Sequence, residues 1–461
     1  MLTSNIFIME SKKTNTSIKR LMVSAFLIVF IGLAQTAKAA VFIQDQTDQQ
    51  SYTQYSGEVV DTQSKDPLVF ASLSLDGTNI STVTNTEGKF SLKVPKDIID
   101  GNLTVSFLGY KTTVIALNLL EEDKNRILLE VLVTELPEVN ITAPKDAESL
   151  VRETLKRKGE NYFNESTVMT AFYRETIKKR RTNVSLSEAV VNIYKSPYSS
   201  DRKDAMELYR ARKSTDYSRL DTLALKLQGG PFNTLYVDVM KYPEYIFTDE
   251  TISDYLFSFE NSTRIDGHLI YVVNFRQRSD IEEPLYKGKL FIDAEKKILT
   301  SAVFSLNITD KDKAAALFVR KKPADVRVWP TDVAYRVDYR EKNGKWYYGY
   351  SNVLLEFKVD WKHRFFNSTY TLTSEMAVTD WEKNLTQDKL TNREKIKTSM
   401  ILGDEASGFS DPDFWGAYNI IEPEKSIQSA IKKIQRQLEK SKTPDGQAEA
   451  KNQGAFRITS N

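Results

Sequence analysis

The chain has 461 residues, with 64 Lys and Arg against 62 Asp and Glu, two His, no Cys, 41% apolar and 11% aromatic residues. That length has room for two or three folded domains, and the net charge of +2 gives no electrostatic pull toward nucleic acid. The absence of Cys excludes disulfide frameworks, thiolate metal sites, Cys nucleophiles and a lipidated Cys, and two His cannot build a site of three imidazoles.

In chain order, Lys12, Lys13, Lys19 and Arg20 precede an apolar run from Leu21 to Ala34, and Ala37 and Ala39 then stand in a small-x-small arrangement. Such a run suits the core of a signal peptide and is shorter than the ~20 apolar residues that span a bilayer. Residues 1–39 are therefore expected to be an export signal and 40–52 a linker. Removing residues 1–39 takes away more basic than acidic residues and leaves a nearly neutral chain with no predicted transmembrane segment. The expected location is the periplasm or the outer membrane. Without disulfides, an exported fold must be held by burial.

From 53 to 134 the patterning has period two. Ala71, Leu73 and Leu75 alternate with polar neighbours, as do Phe90, Leu92 and Val94, then Leu103, Val105 and Phe107, then Ile127, Leu129, Val131 and Val133. Asp66-Pro67, Asp76-Gly77, Glu87-Gly88, Asp100-Gly101 and Gly109 punctuate these runs. Six or seven short strands at this spacing predict an antiparallel β-sandwich. The residues Gly57-Glu58-Val59-Val60-Asp61, Pro67-Leu68, Ala71, Gly77-Thr78, Thr84 to Phe90 and Val105 to Lys111 resemble the carboxypeptidase regulatory-like domain. That is a transthyretin-like sandwich found at the N-termini of exported proteins of the Bacteroidetes type. The resemblance implies an accessory module without the zinc ligands of a peptidase. Indeed, neither His268 nor His363 stands in a His-x-x-Glu pair. Val69-Phe70 departs from the pattern, which usually places Gly before the Ala.

Residues 135–160 contain Pro137 and Pro144 and read as a connector followed by one helix, capped by Asp146, with Leu150, Val151, Thr154 and Leu155 at helical spacing and a stop at Gly159. From 161 to 385, period two returns in longer runs, among them Leu269 to Phe275, Ile298 to Leu306, Tyr335 to Tyr339 and Val353 to Val359. Asp266-Gly267 and Asn343-Gly344 are hairpin signals. The expected fold is mainly β: the sandwich, then a large curved antiparallel sheet of eight to ten strands in up-and-down order, with a few packed helices. A sheet of that size must curl, and its concave side must be covered or hold something. The architecture looks similar to periplasmic lipoprotein carriers. Of the five Trp, Trp329, Trp346, Trp361 and Trp381 are candidates for an apolar groove, and Trp415 follows the sheet.

Asp411 to Ile427 is a second stretch resembling the C-terminal phrase of carboxypeptidase-like-domain proteins. After Pro423, Ile427, Ile431, Ile434 and Leu438 form an amphipathic helical stripe within 386–440, and 441–461 reads as a disordered tail. No dinucleotide fingerprint, phosphate loop or Gly-x-Ser-x-Gly elbow occurs, and Ser429-Ala430-Ile431-Lys432 lacks its partner motifs. No catalytic, cofactor or metal residues are therefore assigned. The reading is a non-enzymatic exported binding or assembly protein of a Gram-negative envelope, whose partner is an envelope protein or an apolar ligand. The alternatives are a hydrolase using dispersed carboxylates such as Glu282-Glu283, and a truncated relative of barrel-bearing outer-membrane proteins.

Overall fold

A computed structural model describes residues 7–11, 51–132, 146–215, 223–227 and 229–427, with short gaps at 249, 261, 266–267, 320–321, 323, 364, 387–388 and 407–413. The apolar run Leu21–Ala34, the 133–145 connector, the helical stripe beyond Ile427 and the tail lie outside the described residues. Strand β1 (Phe7–Ser11), within the segment read as an export signal, pairs antiparallel with β12 (Leu223–Leu227) in a ladder of its own.

The predicted sandwich forms. Strands β2 (Tyr52–Asp61), β5 (Lys89–Pro95) and β8 (Asn125–Leu129) make one sheet; β3 (Ser72–Leu75), β4 (Ser81–Val83), β6 (Asn102–Ser106) and β7 (Thr113–Ala116) make the other. The alternating residues Leu73, Leu75, Phe90, Leu92, Leu103, Val105 and Ile127 meet between the sheets in one buried cluster. Gly88 has φ +71, and a Cβ there would lie 2.8 Å from the Val59 carbonyl oxygen, so the turn that delivers Phe90 to the core requires glycine. One pairing departs from the antiparallel expectation. β8 runs parallel to β2, because the chain crosses from the other sheet after β7 and is not bound by a hairpin turn.

Helix α1 (Ala147–Lys156) starts where expected, with the Asp146 carboxylate accepting from the Ser149 N–H at 2.7 Å. Gly159 does not stop the chain's helical course; it sits within a short second turn, α2 (Lys158–Asn161). The large sheet follows: β9 (Thr167–Lys179), β10 (Thr182–Lys195), β11 (Ala205–Thr215), β13 (Tyr255–Phe259), β14 (Thr263–Ile265), β15 (His268–Gln277), β16 (Tyr286–Asp293), β17 (Ile298–Leu306), β18 (Val326–Lys342), β19 (Lys345–Trp361) and β20 (Ser368–Lys383). Both hairpin signals hold. Ile265 pairs with His268, and Asn343 and Gly344 have φ +53 and +76, the two positive values of a type I′ turn.

The order is up-and-down only from β13 to β20. β20 then pairs with β9, the start of the unit, so the β9–β10–β11 meander is appended beside the last strand. The sheet curls without closing, and among the described residues β11 and β13 are its edges. A membrane-spanning barrel must close to satisfy its edge strands. Register shifts at Pro330/Asp332, Asp338/Tyr339 and Val378/Asp380 are bulges that bend the longest strands, and the first lets Pro330 sit in an interior strand.

The sandwich docks on the convex face. Its β4 lies on β20, and residues 414–427 run between the two units as a strap. Four side chains in register on adjacent strands, Arg212, Glu188, Arg174 and Glu375, form a buried ionic row beneath it. Arg174 Nη2 reaches Glu188 at 2.7 Å and donates to the Ile421 carbonyl at 2.8 Å; Arg212 reaches the other Glu188 oxygen at 2.8 Å and lies 4.8 Å from the Trp415 ring centroid. Burial raises the Glu188 carboxyl, but the two guanidinium groups outweigh it and leave its pKa lowered.

Phe70, which stands where the family pattern usually has Gly, adopts φ +65 and stacks on Tyr350 with ring centroids 4.8 Å apart. The left-handed conformation costs about 1–2 kcal/mol, and the side chain that incurs it joins the sandwich to the sheet. Arg174→Met should destabilise the chain by about 3–5 kcal/mol, since it leaves Glu188 short of a partner and Glu375 with only the long bond from the Tyr350 hydroxyl in a buried interface. Urea unfolding would measure this; a loss under about 1 kcal/mol would show that water compensates the row.

Candidate functional site

The concave face of the curled sheet is the natural place for a ligand. The chain fills it with its own residues. Between β12 and β13, Gly229 and Gly230 (φ +111 and +49) turn the backbone inward before Pro231. The short helix α3 (Phe232–Leu235) follows, then 3-10 turns at Pro243–Tyr245 and Thr251–Asp254. Phe232, Leu235, Val239, Met240 and Phe247 from this segment are buried against Val273, Phe275, Phe304, Val353 and Phe357 of the sheet. Leu150 and Val151 of α1, Phe318 of α4 (Lys311–Phe318) and Leu402 of α5 (Leu402–Glu405) complete the same cluster. Ser351 of β19 donates to the Thr234 carbonyl at 2.9 Å, tying α3 to the sheet.

At the centre of this plug lies a polar cluster. Lys195 ends β10, Asp204 precedes β11, and Asp238 follows α3. The Lys195 ammonium is fully buried between the two carboxylates, 2.7 Å from Asp204 and 2.8 Å from Asp238. Burial disfavours the charge on Lys195, but Asp204 and Asp238 outweigh it and hold the pKa above its usual value. Tyr198 and Tyr339 donate to the two oxygens of Asp238 at 3.0 and 2.9 Å, and Tyr242 donates to Asp204 at 2.7 Å. Burial, reinforced by the adjacent carboxylates, pushes all three phenols well above their ordinary range. The neighbouring Lys241 falls to about 8, chiefly by burial, with its ammonium donating to the Pro197 carbonyl at 2.8 Å. A lysine between two aspartates with three phenols resembles acid–base machinery in composition. Here the ammonium and the carboxylates are engaged under the plug, with the remaining Asp204 oxygen accepting from the Ser196 N–H at 2.8 Å. The arrangement is a clamp that fixes residues 229–247 on the sheet.

A second buried group shares the concave face. Glu175 of β9 accepts from the Tyr173 hydroxyl at 2.9 Å, and burial raises its pKa to about 7 against the lowering effect of bonds from Tyr173 and Ser187.

The four tryptophans assigned to a groove do not converge. Trp346 and Trp361 sit at opposite ends of β19, fifteen residues apart, which is about 50 Å along a strand. Trp361 and Trp381 are buried in the main cluster, and Trp381 packs its ring on Phe163 and Tyr347 at 4.6 and 5.5 Å. Trp346 is half-buried at the hairpin end, its carbonyl accepting from the Phe163 N–H. Trp329 alone lines a cleft, about 560 Å³ in volume, with Lys311, Lys322 and Arg327 and the apolar Ala315, Ala316 and Val319 of and beside α4. A neighbouring cleft of about 490 Å³ is polar, lined by Arg276, Arg278, Glu282, Glu283, Asp310 and Lys313. Glu282 and Glu283 are exposed there and pair with Lys313 at 3.2 and 3.4 Å. His268 lies 3.4 Å from Asp293, half-exposed after its turn. Among the described residues no three His, Asp or Glu side chains are placed to hold a metal ion, and no helix is long and apolar enough to cross a membrane.

Sequence reasoning missed the plug and its clamp. The segment 231–247 is dense in apolar and aromatic residues but has neither helical nor strand period, and that density without period was the available signal.

Residues 55–141 match the CarboxypepD_reg-like domain family, so the sandwich is a carboxypeptidase regulatory-like domain, a module that is regulatory and not catalytic. No curated protein matches the chain. Among solved structures, a putative outer membrane lipoprotein-sorting protein domain from Vibrio parahaemolyticus is 10% identical, with a TM-score of 0.24, covering 53% of this chain and 94% of that one. A DUF1329 family protein from Desulfovibrio piger is 9% identical, with a TM-score of 0.22, covering 53% of this chain and 96% of that one. Likenesses at these scores carry no functional argument.

Two outcomes follow from the buried charges. Lys195→Met should destabilise the chain by about 3–5 kcal/mol in urea unfolding, because two carboxylates lose their shared cation; full stability would show that the clamp is dispensable. Burial lifts the Glu175 pKa to about 7 from the ordinary glutamate value of 4.5, so the folded state holds a proton that the unfolded state releases between those values. The contribution of Glu175 to stability is complete below pH 4.5 and is lost as pH rises to 7, by roughly 3 kcal/mol at most. Glu175→Gln should remove that slope and be the more stable form at pH 8; an unchanged pH profile would contradict it.

Proposed function

We propose that this chain is a non-enzymatic exported binding or assembly protein of a Gram-negative envelope, of the type in which Bacteroidetes place this sandwich near the N-terminus. It works in the periplasm or at the outer membrane, and its partner is another envelope component held against its outer surfaces. One observation carries the reading: the concave face is occupied by residues 229–247 and clamped there through Lys195 and Asp238. The buried ionisable groups serve as internal fasteners, and on the opposite face Arg174 ties the sheet to the strap that runs beneath the sandwich. Shape and surface are what the molecule offers. The basic stretch, apolar run and small-x-small Ala37 and Ala39 of the N-terminus support export.

Mass spectrometry of the protein recovered from the envelope fraction under native conditions tests this. The expected species begins at Ala40 and carries no acyl chain. An equimolar acyl ligand, or an intact N-terminus recovered from the cytosol, would contradict the proposal.

A further inference from the structure

The end of the sheet where β9, β18 and β19 meet their neighbouring turns has a composition that the folded core does not explain. Phe365 and Phe366, in the turn between β19 and β20, are 100% and 80% exposed. Two adjacent aromatic rings held in water at a turn gain nothing for folding. The same turn carries exposed Lys362. Beside it lies the β9–β10 turn with exposed Arg180 and Arg181, joined directly because the Arg180 N–H donates to the Thr369 carbonyl at 2.9 Å. On the other side the segment entering β18 is contiguous, since the Lys362 N–H donates to the Asp325 carbonyl at 3.1 Å, and its Lys322 turns its ammonium back to the Val326 carbonyl at 2.7 Å. Strand order β10-β9-β20-β19-β18 confines these turns to a rim about 19 Å across. Asp325 and Asp360 stand half-buried at this end, and Glu282 and Glu283 belong to the β15–β16 loop further along the sheet and are held by Lys313. The sandwich contacts the sheet toward the opposite end, where Asn79 donates to the Trp381 carbonyl and Lys342 to that of Thr78.

We propose that this rim docks the protein on an anionic lipid surface, with Phe365 and Phe366 entering the interface and Arg180, Arg181 and Lys362 facing the phosphates. Exposed aromatic side chains ringed by cations are suited to the boundary between headgroups and acyl chains, where both parts find partners. The Phe pair protrudes from a convex turn and does not line a groove in which bases could stack between walls, which favours lipid over single-stranded nucleic acid. This inference goes beyond the proposed function and does not depend on what protein partner the chain has.

The test is co-sedimentation of the processed chain, with all folded units present, with vesicles of equimolar phosphatidylglycerol and phosphatidylcholine. Binding is expected at low salt, weakened at least roughly tenfold with pure phosphatidylcholine and also by added salt. The double variant F365S/F366S should bind at least roughly tenfold more weakly while melting at the same temperature, because neither ring is packed. The double variant R181E/K362E should lose the preference for phosphatidylglycerol. No sedimentation with the anionic vesicles, undiminished binding of F365S/F366S, or tighter binding of a single-stranded oligonucleotide than of vesicles would overturn the proposal.

Discussion

A curled sheet of long strands leaves a concave face that cannot stay empty in water, and the way this face is covered governs the rest of the molecule. The sheet supplies a wall of aliphatic and aromatic side chains, and the chain answers with residues 229–247 from its own interior. An apolar plug alone would be held by non-directional burial and could slide or be displaced. The buried Lys195 between Asp204 and Asp238 makes the seat specific: moving the plug would separate Asp238 from its cation and from two tyrosine hydroxyls at once. Breaking such a set leaves charges without water or partner, which is far more costly than separating methyl groups.

The convex face is governed by the same constraint from the other side. The residues alternating with the concave core on β9, β10, β11 and β20 include Arg174, Glu188, Arg212 and Glu375, which on an uncovered sheet would be ordinary surface charges. The strap and the sandwich bury them, and burial turns them into a demand for mutual pairing. Phe70 extends this contact from the sandwich side at the expense of a left-handed backbone. The regulatory-like domain is thus held through an aromatic stack, hydrogen bonds to the sheet and the strap together.

How far the sequence could be read follows from the range of each interaction. Local signals were readable: the period-two runs, the Asp146 cap, the Asn343-Gly344 turn and the Gly88 turn all act within a few residues, and each appears as expected. The pairing of β20 with β9 joins residues about two hundred positions apart, and no local pattern encodes it. The parallel placement of β8 beside β2 escaped for the same reason. Arg336, Asp338 and Arg340 alternate with the aromatic face of β18, and no local pattern says what covers them. In the structure Arg340 donates to the Val378 carbonyl at 2.8 Å and to Ser81 of the sandwich. The tryptophans show the converse. Their number suggested one groove, but strand length carries Trp346 and Trp361 to opposite ends of the sheet.

A filled concave face requires a permanent plug. Native-state hydrogen exchange of the backbone amides between Phe232 and Phe247 measures it directly. If the concave face is filled as described, the hydrogen-bonded amides of α3 and of Met240 and Tyr242 should open only with global unfolding and share its denaturant dependence. Exchange of these amides through a local opening several kcal/mol below the global value would contradict it. Such a result would mean that the sheet can open to admit a ligand.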